Sequence, residues 1–229
     1  MEGLLLVDKP EDWTSFDVVN YIRKIVATIE NKKPKNIKVG HSGTLDPFAT
    51  GLLIILIGSK YTKQSDKYLK QNKTYLVTAK LGYISTTGDP EGELSKKSDI
   101  EPSTDQIMQV FNKFKGVINQ IPPIYSAIKI KGKKSYELAR EGKQVIHKPR
   151  KVNIISINLL KYNYPQVELE VEVSSGTYIR SLVECIGEEL TTGAYTIELI
   201  RTQIDGYSLD KAIKANQINR NNLNRLLIN

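Results

Sequence analysis

The longest apolar run in the chain is Leu52-Leu53-Ile54-Ile55-Leu56-Ile57. Six apolar residues without polar alternation fit a short strand covered on both faces, although periodicity alone leaves a helical turn open. Gly3–Val7 reads as a second apolar strand, with Asp8–Asp12 as the turn behind it. Thr14 or Ser15 then caps a helix whose Phe16, Val19, Ile22, Val26 and Ile29 recur at three- and four-residue spacing. Asn31–Lys38 is a basic, polar loop, Thr62–Leu69 a short polar helix, and Tyr75–Leu81 a half-buried strand that begins at Tyr75.

Thr86–Ser98, with Gly88-Asp89-Pro90 and several charges, reads as an exposed, mobile connection to which no chemistry is assigned. A helix over Ser103–Lys115 follows from the Ser103/Gln106 capping box, the apolar positions Ile107, Val110, Phe111 and Phe114, and the stop at Gly116. Val152–Leu159 and Val167–Val173 predict an antiparallel pair broken at Asn163-Tyr164-Pro165. From Gly176 a helix starts with Thr177 as its cap and Ile179, Leu182, Val183, Ile186 and Leu190 toward the core. Tyr195–Thr202 is β-like, and helical segments are expected near Leu209–Ala215 and Asn219–Leu227. Strands and helices thus mix along one chain with no repeat or linker, so residues 1–229 parse as a single mixed α/β domain.

Charge changes this picture in one place. Between Pro122 and Lys151, nine Lys and Arg residues face only Glu137 and Glu141, a net +7 within a chain of net charge +8. Tyr125 and Tyr136 interleave with these cations. The segment reads as an inserted basic arm for a polyanion, set against the plainer reading of a solvated Lys-rich face. No stretch is long and apolar enough to span a membrane, and no signal-type N-terminus is present, which places the chain in the cytoplasm. Cys185 stands alone beside two histidines, His41 and His147, so neither a disulfide framework nor a Cys/His zinc cluster can be built.

The candidate chemistry lies in Gly40–Gly51. Its glycines allow a tight backbone, while Pro47 fixes its own φ and holds Asp46 extended beside the apolar run. Taken alone, an Asp-Pro pair is more often a plain turn. Arg180 occupies the first turn of a helix, where a cation opposes the helix dipole unless a carboxylate such as Asp46 or a phosphate offsets it; reaching into water is the alternative. Phosphate-loop, dinucleotide and nucleophile-elbow motifs do not occur, and neither histidine has a serine context for a triad. A presented carboxylate, an arginine, tyrosines and a basic arm together favour chemistry on a nucleobase drawn out of its stack.

Six blocks then resemble the TruB family of tRNA pseudouridine synthases: Leu5–Pro10 with Trp13-Thr14-Ser15; Gly40–Gly51; Lys73-Thr74-Tyr75; Gln120–Ala127; Tyr136–Gly142; and Gly176–Leu182. They cover about the first 200 residues. The resemblance implies a central, mostly antiparallel, bent sheet flanked by helices around a catalytic cleft. It also implies isomerisation of uridine-55 in the tRNA T loop, with neither cofactor nor metal. By the same resemblance Asp46 is the catalytic aspartate, Arg180 its ion-pair partner, and Tyr75 the platform for the flipped uracil. Tyr178 and the backbone at Leu199 contact substrate, and His41 stacks within the T loop. Residues 122–151 become the family's thumb, with Lys129, Lys131, Lys133 and Lys134 on the RNA backbone.

The expected partner is tRNA, bound by a monomer with no obligate protein partner. Asp12 in place of the family's usual glycine and Phe48 in place of leucine depart from the pattern, and the chain is too short for a complete C-terminal PUA domain. Whether the aspartate attacks C6 or C1′, or acts as a base at C2′, stays open. Two rivals use the same parts: a non-catalytic RNA-binding or tRNA-folding protein, and a guide-dependent pseudouridylase of H/ACA type.

Overall fold

The computed structural model describes residues 1–130 and 132–228. Along the chain the strands are β1 (Gly3–Lys9), β2 (Val39–His41), β3 (Thr50–Ile57), β4 (Lys73–Leu81), β5 (Tyr83–Ser85), β6 (Leu94–Lys96), β7 (Gly116–Gln120), β8 (Lys129–Ile130), β9 (Lys133–Lys134), β10 (Arg150–Asn163), β11 (Gln166–Val173), β12 (Ala194–Ile204), β13 (Tyr207–Ser208) and β14 (Ile213–Lys214). The helices are α1 (Ser15–Ile29), α2 (Ser59–Thr62), α3 (Ser65–Leu69), α4 (Thr104–Phe114), α5 (Ser135–Arg140), α6 (Ile179–Glu189) and α7 (Leu223–Leu226). These elements form two compact units, Met1–Leu76 with Leu199–Asn229, and Val77–Glu198, and the residues of β4 and β12 are shared out between them.

In the first unit the strand order is β14-β1-β3-β12-β4. The six apolar residues form a strand because both faces of β3 are covered. Leu53, Ile55 and Ile57 pack with Val18, Val19, Ile22 and Val26 of α1. On the opposite face Leu52, Ile54 and Leu56 pack with Tyr61, Tyr68 and Ile204. Side chains alternate across a strand, so an unbroken apolar run can satisfy two cores at once. β1 lies antiparallel along the whole of one edge of β3, from Gly3 opposite Ile57 to Lys9 opposite Gly51. The other edge is divided. β2 pairs with Ile55–Ile57, and β12 pairs in parallel with Thr50 and Gly51. Residues 42–49 leave the sheet where β2 gives way to β12, and Asp46 is carried in that gap.

Helix α1 begins as expected, with Thr14 and Asp17 forming a reciprocal capping box. Its buried face differs from the expected one, because Phe16 and Ile29 are exposed while Val18 and Ala27 are buried. At the first turn it is the Ser15 side chain that enters the core, and Phe16 lies outside with Arg23 over its ring. The expected helix over Thr62–Leu69 is two short helices, α2 and α3, anchored by Tyr61 and Tyr68. The helix expected near Leu209–Ala215 is replaced by short 3-10 turns around β14, because Ile213 and Lys214 pair in parallel with Val7 and Asp8 of β1. Sheet pairing there outweighs local propensity. Of the expected helix over Asn219–Leu227, the single turn α7 forms.

In the second unit the order is β12-β4-β11-β10-β7. β10 and β11 form the expected antiparallel pair, and β7 lies antiparallel on the far edge of β10. Helices α4 and α6 bury Ile107, Phe111, Val183 and Ile186 against Leu81, Val167 and Leu169 of the strands. α4 carries the Ser103/Gln106 capping box. β1 pairs with β14 and β3 with β12 in parallel, whereas β1 with β3, β2 with β3, β10 with β11, β10 with β7 and β12 with β13 are antiparallel, in keeping with a mixed, mostly antiparallel α/β fold.

Candidate active site

The Asp46 loop is fixed through its backbone. On one side of Asp46, the Leu45 N–H donates to Ser15 Oγ at 2.8 Å, and that hydroxyl donates in turn to the Leu45 carbonyl at 3.2 Å. On the other side, the Pro47 carbonyl accepts from the Asp12 N–H at 3.0 Å and from the Lys9 ammonium at 3.1 Å. Asp46 therefore stands between two anchored residues, and its own carbonyl accepts the Ala49 N–H at 3.2 Å. Asp12, where the resemblance expects glycine, adopts φ 63°, a left-handed conformation that aspartate takes more readily than most side chains, and its N–H supplies one of these bonds.

Three buried cations surround this loop: Lys9 with no exposure, Arg201 at 1% and Lys73 at 6%. Lys9 donates to the carbonyls of Pro10, Trp13 and Pro47. Lys73 donates to those of Leu69 and Gln71, and Arg201 to those of Leu52 and Gly43. Burial lowers the Lys9 ammonium to about 8, with Asp46 pulling it back up and Arg201 pushing it further down. Lys73 is likewise lowered to about 8, by burial and then by Arg201. Asp46 stabilises the charge on Lys9, so Lys9 favours the ionised form of Asp46 by the same interaction.

His41 closes β2, with its ring held neutral: burial lowers its pKa first and Arg201 next, against an opposing bond to the Gly43 backbone. Its Nδ1 is buried and has no hydrogen-bond partner among the described residues. A neutral, half-buried ring suits stacking better than charge pairing. Tyr75 on β4 is buried at 7%, and Leu199 on the neighbouring β12 at 6%. Tyr75, Val77, Ala79 and Leu81 share the buried face of β4 as expected, but the strand starts earlier, at Lys73.

Arg180 and Tyr178 belong to the second unit. Arg180 lies in the first turn of α6 at 4% exposure and is paired there with a carboxylate, Nη1 to Asp89 Oδ2 at 2.9 Å. The same guanidinium donates to the carbonyls of Thr87 at 2.7 Å and Tyr125 at 2.9 Å. Asp89 comes from the segment expected to be exposed and without chemistry. Instead, its Oδ1 accepts the Thr87 hydroxyl at 2.5 Å and the Glu91 N–H at 3.1 Å, and its side chain is 5% exposed. Gly88 makes room for this turn: it has φ 74°, and a Cβ there would stand 2.6 Å from Glu184 Oε1. Burial raises Glu184 to about 7, with Arg180 opposing and Glu188 and Asp89 adding to the rise.

Thr177 does not cap α6, because its hydroxyl donates to the Ser174 carbonyl. The helix start is held by Gln120, whose amide accepts the Tyr178 N–H at 2.8 Å and donates to the Tyr178 carbonyl at 2.9 Å.

In the basic segment β8 and β9 form a small hairpin in which Lys129 lies opposite Lys134. Like charges placed across a strand pair are unfavourable unless an anion joins them. Lys133 reaches Glu141 at 3.3 Å, and Lys134 reaches the Tyr136 hydroxyl at 3.2 Å. Lys131 lies outside the described residues. Among the described residues no group of His, Cys, Asp and Glu side chains could hold a metal ion, and no helix is long and apolar enough to cross a membrane.

Sequence reading missed Lys73, Arg201, Asp89 and Gln120 as parts of the site. Lys73 and Gln120 stood inside matched blocks without a role, and Asp89 offered the only signal in its segment, an Asp-Pro beside a glycine.

Residues 29–179 match the family model described as TruB family pseudouridylate synthase (N terminal domain). The chain is 41% identical over 218 residues to the tRNA pseudouridine synthase B of Protochlamydia amoebophila, covering 95% of this chain and 80% of that protein. It is 44% identical over 229 residues to the enzyme of the same name from Clostridium tetani, covering 100% of this chain and 76% of that one. Among solved structures, a chain of a Cbf5-Nop10-Gar1 complex is similar with a TM-score of 0.69 and 30% identity, covering 93% of this chain. This chain spans about half, 52%, of that one. With a family match over most of its length and relatives above 40% identity across nearly all of it, the chain belongs to the TruB family of pseudouridylate synthases.

Proposed function

We propose that the protein isomerises uridine-55 of the tRNA T loop to pseudouridine, with Asp46 as the catalytic carboxylate. The observation that carries this reading is the mounting of Asp46 between two anchored residues, beside a buried Lys9 that favours its ionised form. The reaction breaks the C1′–N1 bond of the uridine, turns the base and forms a C1′–C5 bond, with N1 ending protonated and the proton on C5 lost. Attack on carbon and removal of a proton both require an ionised carboxylate, and the neighbouring Lys9 ammonium supports that form of Asp46 in this reading.

The remaining roles follow the family pattern. Arg180 is the ion-pair partner of Asp46, Tyr75 carries the extruded uracil, and Tyr178 and Leu199 line the substrate, while the neutral His41 stacks within the loop of the RNA. Residues 122–151 act as the thumb, and a polyanion relieves the opposition of Lys129 and Lys134. The protein works on free tRNA as a monomer in the cytoplasm.

The test is Asp46→Asn assayed by tritium release from tRNA carrying 5-tritiated uridine. Release is expected to vanish while tRNA binding persists. Turnover at the wild-type rate in this variant would end the assignment of Asp46 as the catalytic carboxylate, whereas binding without any release by the wild-type protein would leave an RNA-binding module.

A further inference from the structure

Arg201 is among the largest fully buried side chains of the first unit, and it is charged. A guanidinium taken out of water is costly unless its donors are satisfied. Those of Arg201 point at the loop that carries Asp46. Nε donates to the Leu52 carbonyl at 2.7 Å and Nη2 to the Gly43 carbonyl at 3.2 Å. Gly43 precedes the aspartate by three residues and Leu52 follows it by six, so one rigid fork ties together the two shoulders of the loop. The backbone around the fork is arranged to let it in. Arg201 lies opposite Gly51 in the parallel pairing of β12 with β3. Gly51 has φ 100°, and a Cβ on it would stand 2.4 Å from the Arg201 carbonyl oxygen. Any side chain at position 51 would push β12 away and withdraw the guanidinium from both carbonyls.

We propose that Arg201 is a positioning residue for the reaction: by bridging the Gly43 and Leu52 carbonyls it fixes where the Asp46 carboxylate stands. Ser15, Asp12 and Lys9 hold the residues next to Asp46, and Arg201 closes the wider ring from which the loop departs. This rests on Asp46 being the catalytic group. A lysine keeps the positive charge, but its donors all radiate from one nitrogen in place of a planar fork, so it cannot meet both carbonyls at the separate Nε and Nη2 positions.

The experiment compares Arg201→Lys, Asp46→Asn and wild type in single-turnover tritium release and in tRNA binding. In Arg201→Lys the chemical rate is expected to fall by about 10- to 100-fold, the size expected of a catalytic group displaced by about an ångström. The tRNA Kd should stay within about twofold, because Arg201 lies inside the protein. A rate within twofold of wild type overturns the inference, as does a rate loss matched by equal loss of binding. Turnover in Asp46→Asn would instead remove the catalytic reading, independently of what Arg201→Lys does. Should Arg201→Lys fail to fold, Gly43→Ala tests the bridge from its other end. Gly43 has φ 93°, so a side chain there shifts the carbonyl while Arg201 stays in place. The same split between rate and binding is expected, and an unchanged rate overturns the proposal.

Discussion

Arg180 binds Asp89 at 2.9 Å with both side chains almost wholly buried, at 4% and 5% exposure. A first-turn arginine opposes the helix dipole, and the carboxylate removes that opposition while taking up one guanidinium nitrogen. Asp89→Asn keeps the shape of the side chain and deletes the charge, which removes the Asp89 carboxylate from the buried Arg180 guanidinium. Urea unfolding should show a loss of about 3 kcal/mol, the usual cost of breaking a buried pair from one side. Tritium release should fall with it, through displacement of Arg180. Wild-type stability in this variant would mean that the pair contributes nothing net.

Gly51 is the second position where a small change should have a large effect. Its φ of 100° disfavours any L side chain, and the Arg201 backbone occupies the space a Cβ would need. Gly51→Ala is expected to cost at least about 2 kcal/mol of stability from backbone conformation alone. The chemical rate should drop further than the stability loss explains, because the loop shoulders move. Equal stability of the two proteins would show that β12 can retreat without cost.

The thumb gives a prediction about salt. Lys129, Lys133 and Lys134 lie on one hairpin, and replacing all three by Ala should weaken tRNA binding and reduce the slope of log K against log salt by up to about 2 to 3. The rate at saturating tRNA should be little changed, since these side chains belong to binding and not to the loop of Asp46. An unchanged salt slope would make the segment an ordinary solvated face.

Much of this was legible in the chain, for identifiable reasons. The run Leu52–Ile57 could be read as a two-faced strand because nothing polar interrupts it, and the Thr14 and Ser103 caps followed from residue type and spacing. Asp46 stood out because Pro47 restricts its backbone to extended conformations and three glycines permit the tight loop around it. Asp89 did not, because its burial depends on Arg180, 91 residues away, and a segment rich in Gly, Pro and charge ordinarily faces water. Arg201 was hidden for a related reason. A single arginine in a β-like run looks like a solvent-facing residue, and only the parallel pairing of β12 with Gly51 turns it inward. The C-terminal residues near Ile213 were misread as helix because their partner, β1, lies at the other end of the sequence. Local pattern identified what neighbours in sequence determine, and long-range pairing decided the rest.

The buried lysines make stability depend on pH in an unusual direction. Lys73 is lowered from 10.5 to about 8 in the folded protein, chiefly by burial and then by Arg201. Above pH 8 the folded chain releases this proton, while the unfolded chain keeps it until about pH 10.5. The unfolded state therefore binds more protons in that window, and the contribution of Lys73 to stability rises with pH from about 8 to 10.5 and is flat on either side. Lys73→Met removes the group from both states. Its unfolding free energy, followed by urea denaturation at successive pH values, should lack this rise, a difference in slope of up to about 1.4 kcal/mol per pH unit relative to wild type. Lys9, also lowered to about 8, stays in place in both proteins and cancels from the comparison to the extent that the two lysines do not interact. Parallel curves for the two proteins would mean that Lys73 keeps its ordinary basicity and that the positive field around the Asp46 loop is weaker than its burial implies.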